Sequence, residues 1–350
     1  MEKLRHVIFF TLAIPLISFV FACNQGNRKN TSSPTSKNKS NSSNTRFLSL
    51  KSTIGLPEVN GGFDLMSLDI TGKRLFVSAQ DNHSLEVIDL KAEKALQSVS
   101  GLNEPKWSFY LPEKNEIYVA CGGDGKVIEM NASTFNTIKE FQFKEACNNL
   151  RYDKVSNQLW VGIGQSFGAL GVIDLDQDKI IREIPLSGYL KQFELDGNRV
   201  YVNIPGKNQV DVVGRKKNKV TDVWPVKLSE QNVSMALDTA NQRLFVGCDP
   251  GKLIIISTET GLPVTEINIS KGADGIYFDK KRSLIYVSCG EGYIDIIKQN
   301  SADHYQAVEK IKTKEGAATS FYSPELDELF LAVPQTANQQ AAIRIYQPTN

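Results

Sequence analysis

Residues 285–289 read IYVSC, and the same phrase recurs as IYVAC at 117–121 and LFVGC at 244–248. Three relatives without the cysteine stand at 75–79 (LFVSA), 159–163 (LWVGI) and 200–204 (VYVNI), with a weaker one, LFLAV, at 329–333. Successive copies begin 42, 42, 41, 44, 41 and 44 residues apart. Repetition at a period of about 40–45 residues marks an array of small supersecondary units, propellers above all. Residues 46–350 hold seven such units of about 43 residues.

Working outward from the phrase, each unit has one grammar. The first reads FDLMSLDI, KRLFVSAQ, HSLEVIDL and KALQSVSG between residues 63 and 101. These are four short runs rich in Val, Ile, Leu and aromatics, separated by polar turn residues. The sixth repeats it as DGIYFDK, LIYVSCG, YIDIIKQ and YQAVEKIKT. Four short antiparallel strands per unit are a propeller blade, and the absence of long helical periodicity excludes βαβ folds. The fold class is therefore all-β: a seven-bladed β-propeller of four-stranded antiparallel blades.

The array is offset at its ends. AAIRIYQPTN (341–350) supplies a third strand with no fourth, and RFLSLKSTIGLP (46–57) is a strand with no blade. Residues 46–54 are thus expected to form the outer strand of blade 7, closing the ring by main-chain hydrogen bonds and leaving only short edges. Asp69, Asp153, Asp196, Asp238 and Asp279 precede the second strands by four or six residues. Asp at that place caps a tight turn by accepting backbone N–H groups, so the recurrence needs no metal.

The stretches LFVSAQDNHSLEVIDL (75–90) and LWVGIGQSFGALGVIDL (159–175) resemble the YVTN-type β-propeller repeat. Val77, Val119, Val161, Val202, Val246 and Val287 fill that repeat's valine, while its Thr-Asn is mostly replaced. The resemblance covers essentially all of 46–350. It implies a divergent, seven-bladed, exported propeller and no particular reaction.

The start of the chain supports export. MEKLRH is a short basic opening, followed by 16 apolar-rich residues, VIFFTLAIPLISFVFA, ending at Ala22-Cys23. That run is short for a membrane span but suits a secretory signal. A small residue followed by cysteine also ends bacterial lipoprotein signals. Residues 1–22 are read as the signal, with Cys23 lipidated and the chain anchored to the cell envelope, on the periplasmic side or the cell surface. Residues 24–45 lack any aliphatic or aromatic side chain and carry four Lys and Arg, so 23–45 is read as a tether unable to bury a core. The whole chain is formally +1 and residues 1–45 carry +5, leaving the propeller about −4. An acidic domain argues against a nucleic-acid partner. The one basic cluster, GRKKNK at 214–219, falls at a hairpin turn.

Strand alternation puts Cys121 on the same face as Ile117 and Val119, where other blades carry Ala79, Ile163 or Ile204; Cys121, Cys248 and Cys289 are small core residues. Cys147 begins an inner strand, and a disulfide with Cys121 near the channel rim is an expectation that export permits. No Cys-x-x-Cys, P-loop or Gly-x-Ser-x-Gly elbow occurs, and after the signal only His83 and His304 remain. Multi-histidine copper or haem sites are thereby excluded, and no cofactor is expected.

Ligands of propellers meet the channel mouth. Counting back from each second strand gives Asp64, Lys106, Asn148, Lys191, Val233, Asp274 and Ala318 as equivalent inner positions. Trp107, Asn149, Gln192 and Asn232 flank them, and Phe167 and Tyr293 lie on loops of the same face. Aromatic, amide and mixed-charge groups suit a non-catalytic module for a protein, peptide or glycan, with Trp107 and Lys106 as anchors. The alternative is a metal-dependent propeller hydrolase or lactonase using Asp64, Asn148, Asn232 and Asp274.

Overall fold

A computed structural model describes residues 46–227 and 229–349; the signal, the lipidation site Cys23 and the tether lie outside the described residues. Seven four-stranded antiparallel sheets follow one another, the first six with their strands in sequence order from the channel outward. Blade 1 runs Met66–Asp69, Arg74–Ala79, Ser84–Asp89 and Lys94–Ser100. Blade 7 takes Ser320–Ser323, Glu328–Val333 and Ala342–Pro348 from the C-terminal end and Leu48–Gly55 from the N-terminal end. The closing strand pairs from Leu48 with Pro348 to Gly55 with Ala342, its ladder shifted at Lys51. It begins two residues and ends one residue later than the expected 46–54.

Why the blades stack in a ring follows from the two faces of the repeated phrase. The second-strand aromatics Phe76, Tyr118, Trp160, Tyr201, Phe245, Tyr286 and Phe330 are all buried. Each packs into the layer shared with the following blade: Phe76 with Ile117 and Val119 of blade 2, Tyr118 with Leu150 and Val161 of blade 3, and Phe330 with Leu75 and Val77 of blade 1. The alternate residues, Val and Ile, face the blade before. Seven such layers account for the core, one per interface. Losing one of these aromatics would cost about 3–5 kcal/mol.

This alternation decides the cysteines. Cys121 lies in the layer between blades 1 and 2, whereas Cys147 lies in the layer between blades 2 and 3. The expected Cys121–Cys147 disulfide is not formed: Cys121, Cys147, Cys248 and Cys289 are free, buried thiols. The two side chains leave blade 2's neighbourhood on opposite sides of its second strand, so the shared rim does not bring the sulfurs together. Burial pushes Cys121 and Cys248 up to about 12, which keeps them protonated and unreactive.

The inner turns behave as the aspartates suggest in four blades. Asp69 accepts from Gly72 N, Asp153 from Val155 N, Asp238 from Ala240 and Asn241 N, and Asp279 from Lys281 and Arg282 N. Asp196 differs: blade 4 has a shorter turn with Gly197 at φ 53°, and Asp196 instead accepts from Tyr201 Oη at 2.8 Å.

Candidate functional site at the channel mouth

The inner strands of successive blades line a central channel, with blade 7 meeting blade 1. The mouth is built by a repeated backbone irregularity. In blade 2, Pro105 pairs with Cys121 and Trp107 with Ala120, so Lys106 has no partner in the ladder. Val233 in blade 5 and Asp274 in blade 6 are skipped in the same way, and Asn148 and Asn149 together face a gap in blade 3. A bulge re-aims the extra residue's side chain. Its carbonyl is then used to tie blades together. Lys106 O accepts from Leu65 N at 2.9 Å and Val233 O from Gln192 N at 3.2 Å, and Ala318 O, just ahead of the inner strand of blade 7, accepts from Gly275 N at 3.1 Å. Gln192 Nε2 reaches Asp274 O at 2.9 Å, and Asn149 Nδ2 reaches Lys191 O at 3.2 Å. Backbone hydrogen bonding is thereby satisfied between blades, while the bulged side chains are left to line the channel.

Six of the seven equivalent inner positions, Asp64, Lys106, Asn148, Lys191, Val233 and Asp274, line one cavity of about 240 Å³. Its wall is mostly polar. Lys106 Nζ donates to Gln80 Oε1 at 2.6 Å and lies 3.7 Å from Glu104. Thr319 Oγ1 is 3.3 Å from Asp274 Oδ2 and 3.4 Å from Phe63 O, bridging blades 6 and 1 across blade 7. Burial, with the Asp274 charge second, pushes the Asp64 carboxyl up to about 7, against the pull of Lys106, the Leu65 N–H and Lys191. Burial also raises Asp274, opposed by Lys191 and Thr319.

Other candidates lie elsewhere. Gln192 and Asn149 border the cavity but are buried, and their amides hold the scaffold: Gln192 Oε1 accepts from Met235 N at 3.1 Å. Asn232 is 0 % exposed and donates to Asn203 Oδ1 at 2.7 Å and Gln209 O at 2.8 Å. It belongs to the joint between blades 4 and 5, because its paired register turns it away from the channel, where the adjacent unpaired Val233 points. Trp107 is half-buried deeper in the channel, in a separate cavity of about 250 Å³ with Glu194, Met235 and Tyr277. Arg151 covers its ring at 4.1 Å and pairs with Glu194 at 2.7 Å. Trp107 therefore lines a different cavity from Lys106, because the bulge at Lys106 separates the two neighbours. Phe167 is 47 % exposed on a loop whose backbone N–H groups at 165–167 all donate to Glu145 Oε2, at 2.7–3.3 Å. Tyr293 lies under Lys310 Nζ at 4.0 Å. Neither lines the cavity.

Sequence reasoning missed Gln80 as the partner of Lys106, and it missed Tyr189, whose ring lies 5.7 Å from Lys191 Nζ. Gln80 directly follows the repeated phrase at 75–79, whereas Tyr189 sits in a blade connection with no repeat signal. Among the described residues, no group of three His, Cys, Asp or Glu side chains comes together in a way that could hold a metal ion.

No protein-family model matches the chain, and no curated protein matches it in sequence. Solved structures do resemble it in fold. A chain of Kuenenia stuttgartiensis hydrazine synthase superposes with a TM-score of 0.67 at 18 % identity, over 81 % of this chain and 96 % of that one. A chain of a mitotic checkpoint complex superposes with a TM-score of 0.72 at 12 % identity, over 96 % of this chain and 100 % of that one. At such identities the likeness is one of fold alone.

Proposed function

We propose that this chain is an exported, lipid-anchored propeller of the YVTN-repeat type that binds a partner without catalysis, through the face carrying the channel mouth. The observation that carries the reading is the convergence of two acids, two lysines and an amide from five blades on one polar cavity. Five of the seven equivalent positions thus carry charged or amide side chains freed from the ladder, where apolar packing would have filled the channel. The propeller fold is commonly a binding or scaffold module, and one structural neighbour belongs to a protein assembly, the mitotic checkpoint complex. A metal-dependent hydrolase draws no support from the geometry, because Asn232, one of its four required ligands, is turned into the joint between blades.

Capture of envelope components by the purified protein tests the reading. Lys106→Ala combined with Lys191→Ala is expected to abolish capture of any specific partner, while Lys216→Ala with Lys217→Ala, on the opposite face, leaves it intact. The reverse pattern would place binding on the wrong face. The anchor is tested separately. Labelled palmitate is expected to enter the wild type and not Cys23→Ala, with the mature chain beginning at residue 23 by mass spectrometry; another N-terminus removes the anchor.

A further inference from the structure

We infer that the channel mouth binds a small zwitterion, an amino acid or dipeptide, with its ammonium against Asp64 and Asp274 and its carboxylate against Lys106 and Lys191. The inference deepens the binding role proposed above and rests on it. It comes from the order of the side chains around the ring. Blades 1 to 7 contribute Asp64, Lys106, Asn148, Lys191, Val233, Asp274 and Ala318 in turn. The two acids come from blades 1 and 6, flanking the small Ala318 of blade 7, which leaves room between them. The two lysines come from blades 2 and 4, flanking Asn148 of blade 3, so that Lys106 adjoins Asp64 while Lys191 stands farther round the ring. The cavity therefore has an anionic wall and a cationic wall.

These charges do not neutralise each other directly. Among the described residues, no ion pair joins Asp64 or Asp274 to Lys106 or Lys191. Lys106 is partly compensated by Glu104 and Gln80, whereas Lys191 Nζ has no carboxylate partner among the described residues and stands only over Tyr189. Asp64, Lys106 and Asp274 are half-buried, and separated charges of that kind are costly to keep dehydrated; a ligand carrying both signs would satisfy both walls at once. An ammonium suits the acid wall better than a metal ion does, since the wall offers two carboxylates and no third Asp, Glu, His or Cys. A diamine would meet the lysines, and a dicarboxylate the acids. The volume of about 240 Å³ admits a single residue, and a groove of about 470 Å³ between blades 4 and 5 shares Lys191 and Val233 with the mouth. That groove gives the ligand's side chain or second residue a way out.

Protonation offers an independent readout. Asp64 faces Asp274, Lys106 and Lys191, with Glu104 behind Lys106. Burial, with the Asp274 charge second, pushes its carboxyl up to about 7. An ammonium favours the ionised form, so binding releases a proton at pH 6 and little at pH 8.

Calorimetry on the full chain in detergent decides the matter, with glycine, β-alanine, 4-aminobutyrate, 6-aminohexanoate and glycylglycine as probes, and 1,4-diaminobutane, succinate and calcium chloride as controls. At least one zwitterion is expected to bind tenfold or more tightly than every control. Asp274→Asn and Lys191→Met should each weaken it at least tenfold, and Lys216→Ala should not. Lys191 is exposed, so its replacement spares the fold; melting curves check Asp274→Asn. Equal affinity for the diamine, tight calcium binding, or indifference to Lys191→Met would overturn the inference. If no probe binds while partner capture still depends on Lys106 and Lys191, the zwitterion is wrong and the binding role stands. If neither the probes nor capture responds to these residues, both fail.

Discussion

Removing residues 1–56 lowers the melting temperature by more than about 10 °C, whereas removing residues 1–45 leaves it within a degree or two. The strand Leu48–Gly55 is the outer member of blade 7 and carries the covalent start of the ring to its end. Leu48, Ile54 and Leu56 are buried, Leu48 in the layer between blades 6 and 7 and the other two between blades 7 and 1. The clasp is reinforced at its margin: Thr349 N donates to Phe47 O at 2.9 Å, and Phe47 N donates to Glu309 Oε2 of blade 6 at 2.7 Å. Each buried aliphatic side chain lost is worth about 2–5 kcal/mol. One kcal/mol moves the transition of a domain this large by roughly 2–4 °C. Truncation also bares the edge of Ala342–Pro348, so aggregation on heating is expected. Residues 1–22 are read as a signal outside the fold, and residues 24–45 have no aliphatic or aromatic side chain to bury, so the shorter truncation is expected to be neutral. Scanning calorimetry of the two truncations settles the point; equal melting temperatures would mean that the ring does not depend on its clasp.

Arg282→Ala destabilises the propeller by about 3–5 kcal/mol, the second large effect. Arg282 leaves the inner turn of blade 6, lies 2.9 Å from Asp279 of its own blade, and reaches Asp327 of blade 7 with both terminal nitrogens, at 2.7 and 2.6 Å. Asp279 is almost wholly buried and also accepts from Tyr286 Oη at 3.0 Å. Removing the guanidinium leaves that carboxylate in the interior without its cation, the costly half of a broken pair. Lys281, its neighbour, lies 3.6 Å from Asp327 but is 74 % exposed, and Lys281→Ala should cost under about 1 kcal/mol. Hydrogen bonds from Arg282 hold the Asp327 carboxyl below the usual carboxylate range. A depressed carboxyl contributes stability that is present above its unfolded value near pH 4 and is lost as pH falls through the folded value. The difference between wild type and Arg282→Ala should therefore shrink below about pH 4. Urea unfolding at pH 7 and pH 3 measures it; an undiminished difference at pH 3 would assign the effect to packing alone.

Much of this architecture was legible in the residues. Strand alternation is a local property with a period of two, so the phrase at 285–289 and its copies told which side chains enter a core before any neighbour was known. Tyr118 and Ala120 on one face, and Ile117, Val119 and Cys121 on the other, follow from that period alone. The orphan strand and the three-stranded last unit required closure, since an open propeller would leave one unpaired edge at each end.

What the sequence by itself determined is thus the number of blades, the strands within each, a clasp placed at 46–54 and found at Leu48–Gly55, and the set of inner positions facing the channel. The tertiary structure decided what those positions do. Lys106 and Trp107 are adjacent in the chain, yet a bulge sends one to the mouth and leaves the other deeper, beneath Arg151. Asn148, Asn149 and Asn232 are chemically alike, yet only Asn148 lines the mouth without being buried, because Asn149 and Asn232 hydrogen-bond other blades. The separation of acids from lysines likewise exists only when blade 7 stands between blades 6 and 1. Periodicity is written in neighbouring residues, whereas bulge position, competition for hydrogen bonds and ring order depend on partners 40 to 260 residues away along the chain.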